Sequence, residues 1–233
     1  MKNTPNLYDT LFQILGQHVH WLDIRHLHTL TWMIVGLIKS KTISLPEWAP
    51  FVDSRANYAQ STVRRFSRWL RNEKIKTNEL YAPVIRDALA EWGEHTLYIA
   101  LDTSMLWNEF CDIRVSVIYR GRAIPLVWKT IKHKSSTVAF EKYRDLLKKA
   151  VMLLPLGTNV VFLADRGFAD TKLMQYLSKT LHWHWRIRVK PSFYTYRRNQ
   201  RRCKIKNIKL KRGQARFWHN VYITEKKFGV VHL

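Results

Sequence analysis

A chain of 233 residues with 46% hydrophobic side chains can build one large domain or two small ones, which argues against global disorder. Its 40 basic and 17 acidic residues give a formal net charge of +23, so polyanions come first among partners and an anionic membrane surface second. Two cysteines, Cys111 and Cys203, with no CxxC pair, argue against a disulfide scaffold or a zinc knuckle and fit a reducing cytoplasm.

In chain order, residues 7–40 are expected to be helical. Apolar side chains recur every three or four positions at Leu7, Leu11, Ile14 and Leu15, then at Leu27, Leu30, Ile34 and Leu37. The first residues lack the apolar core of a secretory signal, and the most apolar run, 30–38, is too short to span a bilayer, so the membrane reading drops out. His18, His20, His26 and His28 invite a metal, but no cysteine or carboxylate completes a usual zinc set, and positions on an amphipathic helix account for them. Pro46 and Pro50 mark a break. Ser61 and Thr62 are placed to cap a helix over 63–71. Its apolar side is Val63, Phe66, Trp69 and Leu70, and its other side carries Arg64, Arg65, Arg68 and Arg71. A further helix, 80–92, turns Val84, Ile85, Ala88 and Leu89 inward and ends at Gly93.

The pattern changes after His95. Residues 96–101 are apolar on both faces, as in a central strand. Residues 112–120 alternate, Arg120-Gly121-Arg122 is a turn, and 123–131 return, with Pro125 marking an edge strand. An amphipathic helix over 137–154 follows, buried through Phe140, Tyr143, Leu146, Leu147, Ala150 and Leu154. Residues 159–164 form a second apolar strand, 170–178 a short helix and 183–189 another strand. Three antiparallel strands followed by helix-connected parallel ones is the RNase H-like order, an α/β fold. The chain thus divides into a helical region (1–95), an RNase H-like core (96–190) and a basic, aromatic segment with short β-like runs (191–233).

Two carboxylates stand out. Asp102 closes the strand TLYIALD and Asp165 closes NVVFLAD. If these strands are parallel neighbours, both acids meet at one edge of the sheet, where repulsion favours a cation between them. Mg²⁺ is a hard, oxygen-seeking ion held by a few carboxylates plus phosphate oxygens, and it suits phosphodiester chemistry. The bland alternative is that each Asp only caps the turn that follows it. Gly167 most simply permits the turn after the second strand.

The residues around the pair sharpen this reading. ALDTSMLW (100–107) and VVFLADRGFAD (160–170) resemble the two Asp motifs of insertion-sequence DDE transposases, closest to the insertion-sequence-four family with its D-T-[ST] and D-R-G-F segments. IPLVWKTIKHKSSTVAFEKYRDLL (124–147) looks like the same family, and the resemblance covers about residues 60–233. It implies an RNase H-like catalytic core (96–190) behind a helical DNA-binding region (1–95), with residues 191–233 as the start of a basic, β-rich insertion. It implies Mg²⁺-dependent (or Mn²⁺-dependent) cleavage at element ends and transfer of the freed 3′-hydroxyl to target DNA. Asp102 and Asp165 carry over as catalytic metal ligands, and a synaptic homodimer is implied with them. The family's catalytic Glu lies within Y-x2-R-x3-E-x6-K, a pattern this sequence lacks. Glu225, in VYITEKKFG, reads as strand and turn and is not assigned to that role. The expectation is therefore a truncated transposase, inactive alone.

Residues 181–233 carry 15 basic side chains and one acid. Within them, YTYRRNQRRCKIKNIKLKRGQARFW (194–218) interleaves Arg197, Arg198, Arg201, Arg202, Lys204, Lys206, Lys209, Lys211 and Arg212 with aromatic rings. Such a segment neutralises phosphates and stacks on exposed bases. A charge-defended strand edge is the alternative. The rival functions are a non-catalytic DNA-end binder that inhibits transposition, an RNase H-like nuclease and a general basic nucleic-acid binder.

Overall fold

The computed structural model of the chain describes residues 4–19, 21, 23–53, 58–197 and 201–233. They divide into two compact units, Met1–Ala90 and Glu91–Leu233. No helix among the described residues is long and apolar enough to cross a membrane.

The first unit is helical: α1 (Thr4–His18), α2 (Ile24–Ser40), a short α3 (Leu45–Trp48), α4 (Ala59–Leu70) and α5 (Thr77–Leu89). The stretch expected as helix over 7–40 is two helices. Asp23, in extended conformation, caps α2 by accepting the Arg25 amide at 2.9 Å. Lys41 ends α2 in the left-handed region, its amide bonded to the Leu37 carbonyl. The three- and four-residue apolar spacing recurs on both sides of the break, so spacing alone reads the stretch as helical throughout.

Met33, Trp48 and Phe66 form one buried cluster of this unit, with Trp32, Leu45, Val52 and Trp69 against them. Gly36 allows the approach of α3, since a Cβ there would stand 2.6 Å from the Trp48 Cβ. Tyr8 stacks on Trp32 with ring centroids 4.3 Å apart and hydrogen-bonds His28, whose ring also lies against Phe12. His28 is thus part of an aromatic cluster, and His18 pairs with Asp87 at 3.4 Å. His20 lies outside the described residues.

The second unit begins with a five-stranded sheet of β1 (Leu97–Leu106), β2 (Phe110–Tyr119), β3 (Arg122–Lys132), β4 (Val160–Ala164) and β5 (His184–Ile187), in the order β3-β2-β1-β4-β5. β1 to β3 are antiparallel neighbours, while β4 is parallel to β1 and β5 to β4. This is the RNase H-like mixed sheet, an α/β fold preceded by a helical region. Pro125 sits on the edge strand, where the register slips between Val115 and Ser116. A bulge there spares the ladder the missing amide.

Between β3 and β4 lies α6 (Phe140–Val151), which buries Phe140, Tyr143, Leu146, Leu147 and Ala150. Leu154, expected on the same stripe, falls beyond the helix end and is half-buried. Between β4 and β5 lies α7 (Thr171–Gln175), capped by Asp170, whose carboxylate accepts the Lys172 amide at 2.8 Å. Leu97, Ile99 and Leu101 of β1 and Val160 and Phe162 of β4 are buried, each side chain removed from water contributing roughly 1.5–3 kcal/mol.

A second, antiparallel sheet follows, β7-β6-β8-β9, from β6 (Tyr194–Tyr196), β7 (Cys203–Lys204), β8 (Val221–Ile223) and β9 (Phe228–Val231). Its inward residues are Thr195, Val221, Ile223 and Val231.

Candidate functional site

The two aspartates are brought together by register. The parallel pairing of β1 with β4 ends at Leu101 opposite Ala164, so Asp102 and Asp165 come next in line on neighbouring strands. Side chains alternate along a strand, which puts both acids on the face opposite the buried Leu97, Ile99 and Leu101. Asp102 does not close its strand, as the sequence suggested. β1 runs on through Leu106, held along its other edge by β2. Neither acid is buried, so no desolvation penalty needs a cation to offset it.

Each carboxylate is anchored by one oxygen. Asp102 Oδ1 accepts its neighbour's amide, Thr103 N–H, at 2.8 Å, and Asp165 Oδ1 accepts Gly167 N–H at 2.7 Å. The second oxygen of each has no hydrogen bond and neither acid is in an ion pair among the described residues. Arg114, opposite Asp102 in the register, turns to Asp112 instead, at 2.7 Å, and Thr130 completes that cluster at 3.0 Å. Two adjacent carboxylates with free oxygens suit Mg²⁺ or Mn²⁺, which takes one or two carboxylates and fills its shell with water and phosphate oxygen. Among the described residues no group of three or more His, Cys, Asp or Glu side chains gathers anywhere.

The D-R-G-F segment has a physical reason for each residue but Arg166. Asp165 caps a 3₁₀ turn over Arg166–Phe168. Phe168 is buried, its ring edge-on to Tyr143 of α6 at 5.7 Å. Burial in the same place pushes the Tyr143 phenol well above its ordinary range, with the nearby Asp170 and Glu141 charges adding to it. Gly167 does not have a positive φ. Its role is space: a Cβ there would stand 2.9 Å from Asp165 Oδ1. The sequence reading assigned that glycine to turn geometry, and the carboxylate is the better reason.

A second anchor was not legible beforehand. The Thr103 hydroxyl donates to the Ser136 carbonyl at 2.8 Å, clipping the segment after β3 to the strand that carries Asp102. The His133 amide donates to the Glu109 carbonyl at 2.9 Å. A cleft of about 1300 Å³ opens nearby, lined by Gly167 to Thr171, Tyr143, Glu225 and five lysines, among them Lys190 and Lys204. Asp102 and Asp165 are not in its lining, so the carboxylate pair is an exposed sheet edge rather than an enclosed pocket.

The arginines of α4 separate into two groups. Arg64, Arg68 and Arg71 are exposed, on one side of the helix and its C-terminal cap. Arg65 leaves that face. It is half-buried over the Phe66 ring at 5.4 Å, its Nε and Nη2 atoms have no partner, and desolvation lowers its pKa. The helix starts at Ala59, with no side-chain cap, so Ser61 and Thr62 lie inside it. Leu70, expected inward, is 55% exposed.

In the basic segment, Arg201, Arg202, Lys206, Lys209, Lys211 and Arg212 are exposed, while Arg197 and Lys204 are half-buried. Arg198 lies outside the described residues. Three of the four rings in 194–218 already lie under cations: Arg202 and Lys204 over Tyr194 at 4.9 and 5.2 Å, Lys227 over Tyr196 at 5.5 Å and Arg197 over Trp218 at 4.5 Å, while Phe217 is 78% exposed.

No family model matches this chain, and no curated protein matches it. Among solved structures, a foamy viral protease–reverse transcriptase in complex with double-stranded DNA is similar at 13% identity and a TM-score of 0.25. The match covers 76% of this chain and 32% of that one, so the chain spans about a third of the length of the structure it matches.

Proposed function

We propose that this chain is a DNA transposase of the insertion-sequence-four type, acting on phosphodiester bonds at the ends of its element. The observation that carries the reading is the register of β1 and β4, which sets Asp102 and Asp165 side by side with one free oxygen each. The resemblance of residues 100–107 and 160–170 to that family's Asp motifs supports it, as does the charge of +23.

In this reading Asp102 and Asp165 hold Mg²⁺ or Mn²⁺, which supplies Lewis-acid polarisation and charge neutralisation at phosphate oxygens. The Thr103 and Gly167 amides fix the two carboxylates, so little reorganisation is needed when a phosphate arrives. Arg64, Arg68 and Arg71 contact phosphates of the terminal repeat, and the basic segment after β5 contacts flanking or target DNA. The work is done as a synaptic homodimer in the cytoplasm, on the nucleoid.

A second reading keeps the DNA and drops the chemistry, making the chain a binder of element ends. It is favoured by where the charge lies, since the α4 arginines and most of the basic residues after 181 belong to elements that carry neither aspartate.

One experiment decides between them. Nicking of an end-bearing supercoiled plasmid in Mg²⁺ or Mn²⁺ is compared for the chain, Asp102→Asn and Asp165→Asn, with gel-shift binding and Mn²⁺ binding measured alongside. Metal-dependent nicking abolished by either substitution supports the transposase. Because the sequence lacks the Y-x2-R-x3-E-x6-K glutamate, DNA binding without nicking is the result expected of the chain alone. It supports the transposase where either substitution abolishes Mn²⁺ binding and the binder where neither does, and absence of both DNA binding and nicking removes the DNA reading.

A further inference from the structure

The hairpin joining β1 to β2 carries a residue that its backbone disfavours. In the turn from Leu106 to Glu109, closed by the Glu109 amide on the Leu106 carbonyl at 3.1 Å, Trp107 and Asn108 both have positive φ, 51° and 55°. Such a turn asks for Asn or Gly at its centre, and Asn108 obliges. A tryptophan at a left-handed position is strained, and this one gains no burial in return, since it is 87% exposed. Neither folding nor packing accounts for the side chain.

Its surroundings are basic. Lys129, Lys132 and Lys134 are all exposed on the end of β3 and the segment after it. Lys132 pairs with Glu109 of the hairpin at 3.1 Å. The His133–Glu109 and Thr103–Ser136 hydrogen bonds fasten that segment to β1 and its hairpin, and the register puts Lys132 on the face of Asp102 and Leu106, with Lys129 on the other face. Leu106 ends β1 roughly 13 Å beyond Asp102, about four base steps along DNA. Unlike Tyr194 and Trp218, the Trp107 ring has no cation of the protein over it among the described residues.

Building on the DNA reading above, we infer that Trp107 is a base-stacking residue. It takes the face of an unpaired nucleobase in a strand whose phosphates run along Lys132 and Lys134 toward the carboxylate pair. Aromatic stacking is indifferent to base identity, so the contact senses an opened or single-stranded end rather than a sequence.

The test uses the full chain and two oligonucleotides, a blunt duplex and the same duplex with a single-stranded overhang carrying 2-aminopurine at successive positions. Wild type and Trp107→Phe quench 2-aminopurine at one overhang position. Trp107→Ala restores its emission and weakens overhang binding about tenfold, with blunt-duplex binding unchanged. Trp107→Gly relieves the strained turn, so it melts above wild type yet binds the overhang as weakly as the alanine variant. A Lys132→Ala/Lys134→Ala pair weakens both oligonucleotides and lowers the salt slope by roughly two. Equal quenching and affinity in Trp107→Ala overturn the proposal. So does a changed sedimentation coefficient with unchanged DNA binding, which makes Trp107 a contact between copies of the chain. If wild type binds neither oligonucleotide, the DNA reading falls and this inference with it.

Discussion

Gly167→Ala is the substitution most sharply constrained by the geometry. The added Cβ would stand 2.9 Å from Asp165 Oδ1, where ordinary contact begins at 3.4 Å, so carboxylate and backbone must separate by about half an ångström. That movement stretches the 2.7 Å bond from the Gly167 amide, a charge-assisted hydrogen bond worth roughly 1.5–3 kcal/mol. Against this, Gly→Ala at a residue with ordinary φ stabilises by roughly 0.4–1 kcal/mol through the unfolded chain. Because Asp165 is exposed and water can replace the lost bond, the two terms nearly offset, and the melting temperature moves by only a few degrees. The position of the carboxylate changes much more. Mn²⁺ affinity, measured by calorimetry, should fall roughly tenfold or more, as when a group orienting a metal ligand is removed. Unchanged Mn²⁺ affinity in a folded Gly167→Ala protein, with wild type binding the metal, would refute the link between this glycine and the carboxylate.

Five further outcomes follow from the same structure. Replacing Arg64, Arg68 and Arg71 together with alanine should lower the slope of log affinity against log salt by roughly three. Arg65→Met should leave DNA affinity within about twofold and raise the melting temperature, because its guanidinium is half-buried with unpartnered nitrogens. Phe168→Ala should destabilise the fold by about 3–5 kcal/mol in denaturant titration, the range for a buried ring, and release the loop that carries Asp165. Gly36→Ala should destabilise the helical unit despite the helix propensity of alanine, since the clash is with the Trp48 Cβ and backbone rather than a mobile side-chain end; a rise in melting temperature would contradict this.

The last concerns pH. The Arg25 guanidinium and then the Arg25 amide hold Asp23 at about 2, below its ordinary 3.8. A depressed carboxyl stabilises the fold above its unfolded value. The cap of α2 therefore contributes fully above about pH 4 and is lost as pH falls toward about 2. The ¹³C titration of the Asp23 carboxyl should have its midpoint near 2, and a midpoint near 3.8 would contradict the bond to Arg25.

The sheet order was legible because its strands advertise themselves. Residues 97–101 and 160–164 are apolar without alternation, and the turn at Arg120-Gly121 separates β2 from β3. The extension of β1 past Asp102 was not, since Thr103 and Ser104 look like turn residues until β2 is seen to pair with them. The pairing of Asp102 with Asp165 was inferred from strand ends, and register delivers it although one of those ends was misplaced. Helix periodicity put Arg65 with the other arginines because it lies within reach of their face. Only the tertiary environment, its burial and the nearness of Tyr8 of α1, sets it apart from them. That Tyr194, Tyr196 and Trp218 lie under cations could not be known, because cation–π pairs such as Arg197 with Trp218 join residues distant in sequence. Trp107 was visible as a letter, but its strain and exposure belong to the hairpin.

The most direct test of the central claim is Mn²⁺ binding to the full chain, followed by calorimetry or by loss of the free-ion paramagnetic signal, for wild type, Asp102→Asn and Asp165→Asn. If the two carboxylates share one ion, wild type binds with a defined stoichiometry and each single substitution abolishes that site. Wild-type binding that survives both substitutions would place the metal elsewhere and leave Asp102 and Asp165 as residues that only order the chain around them.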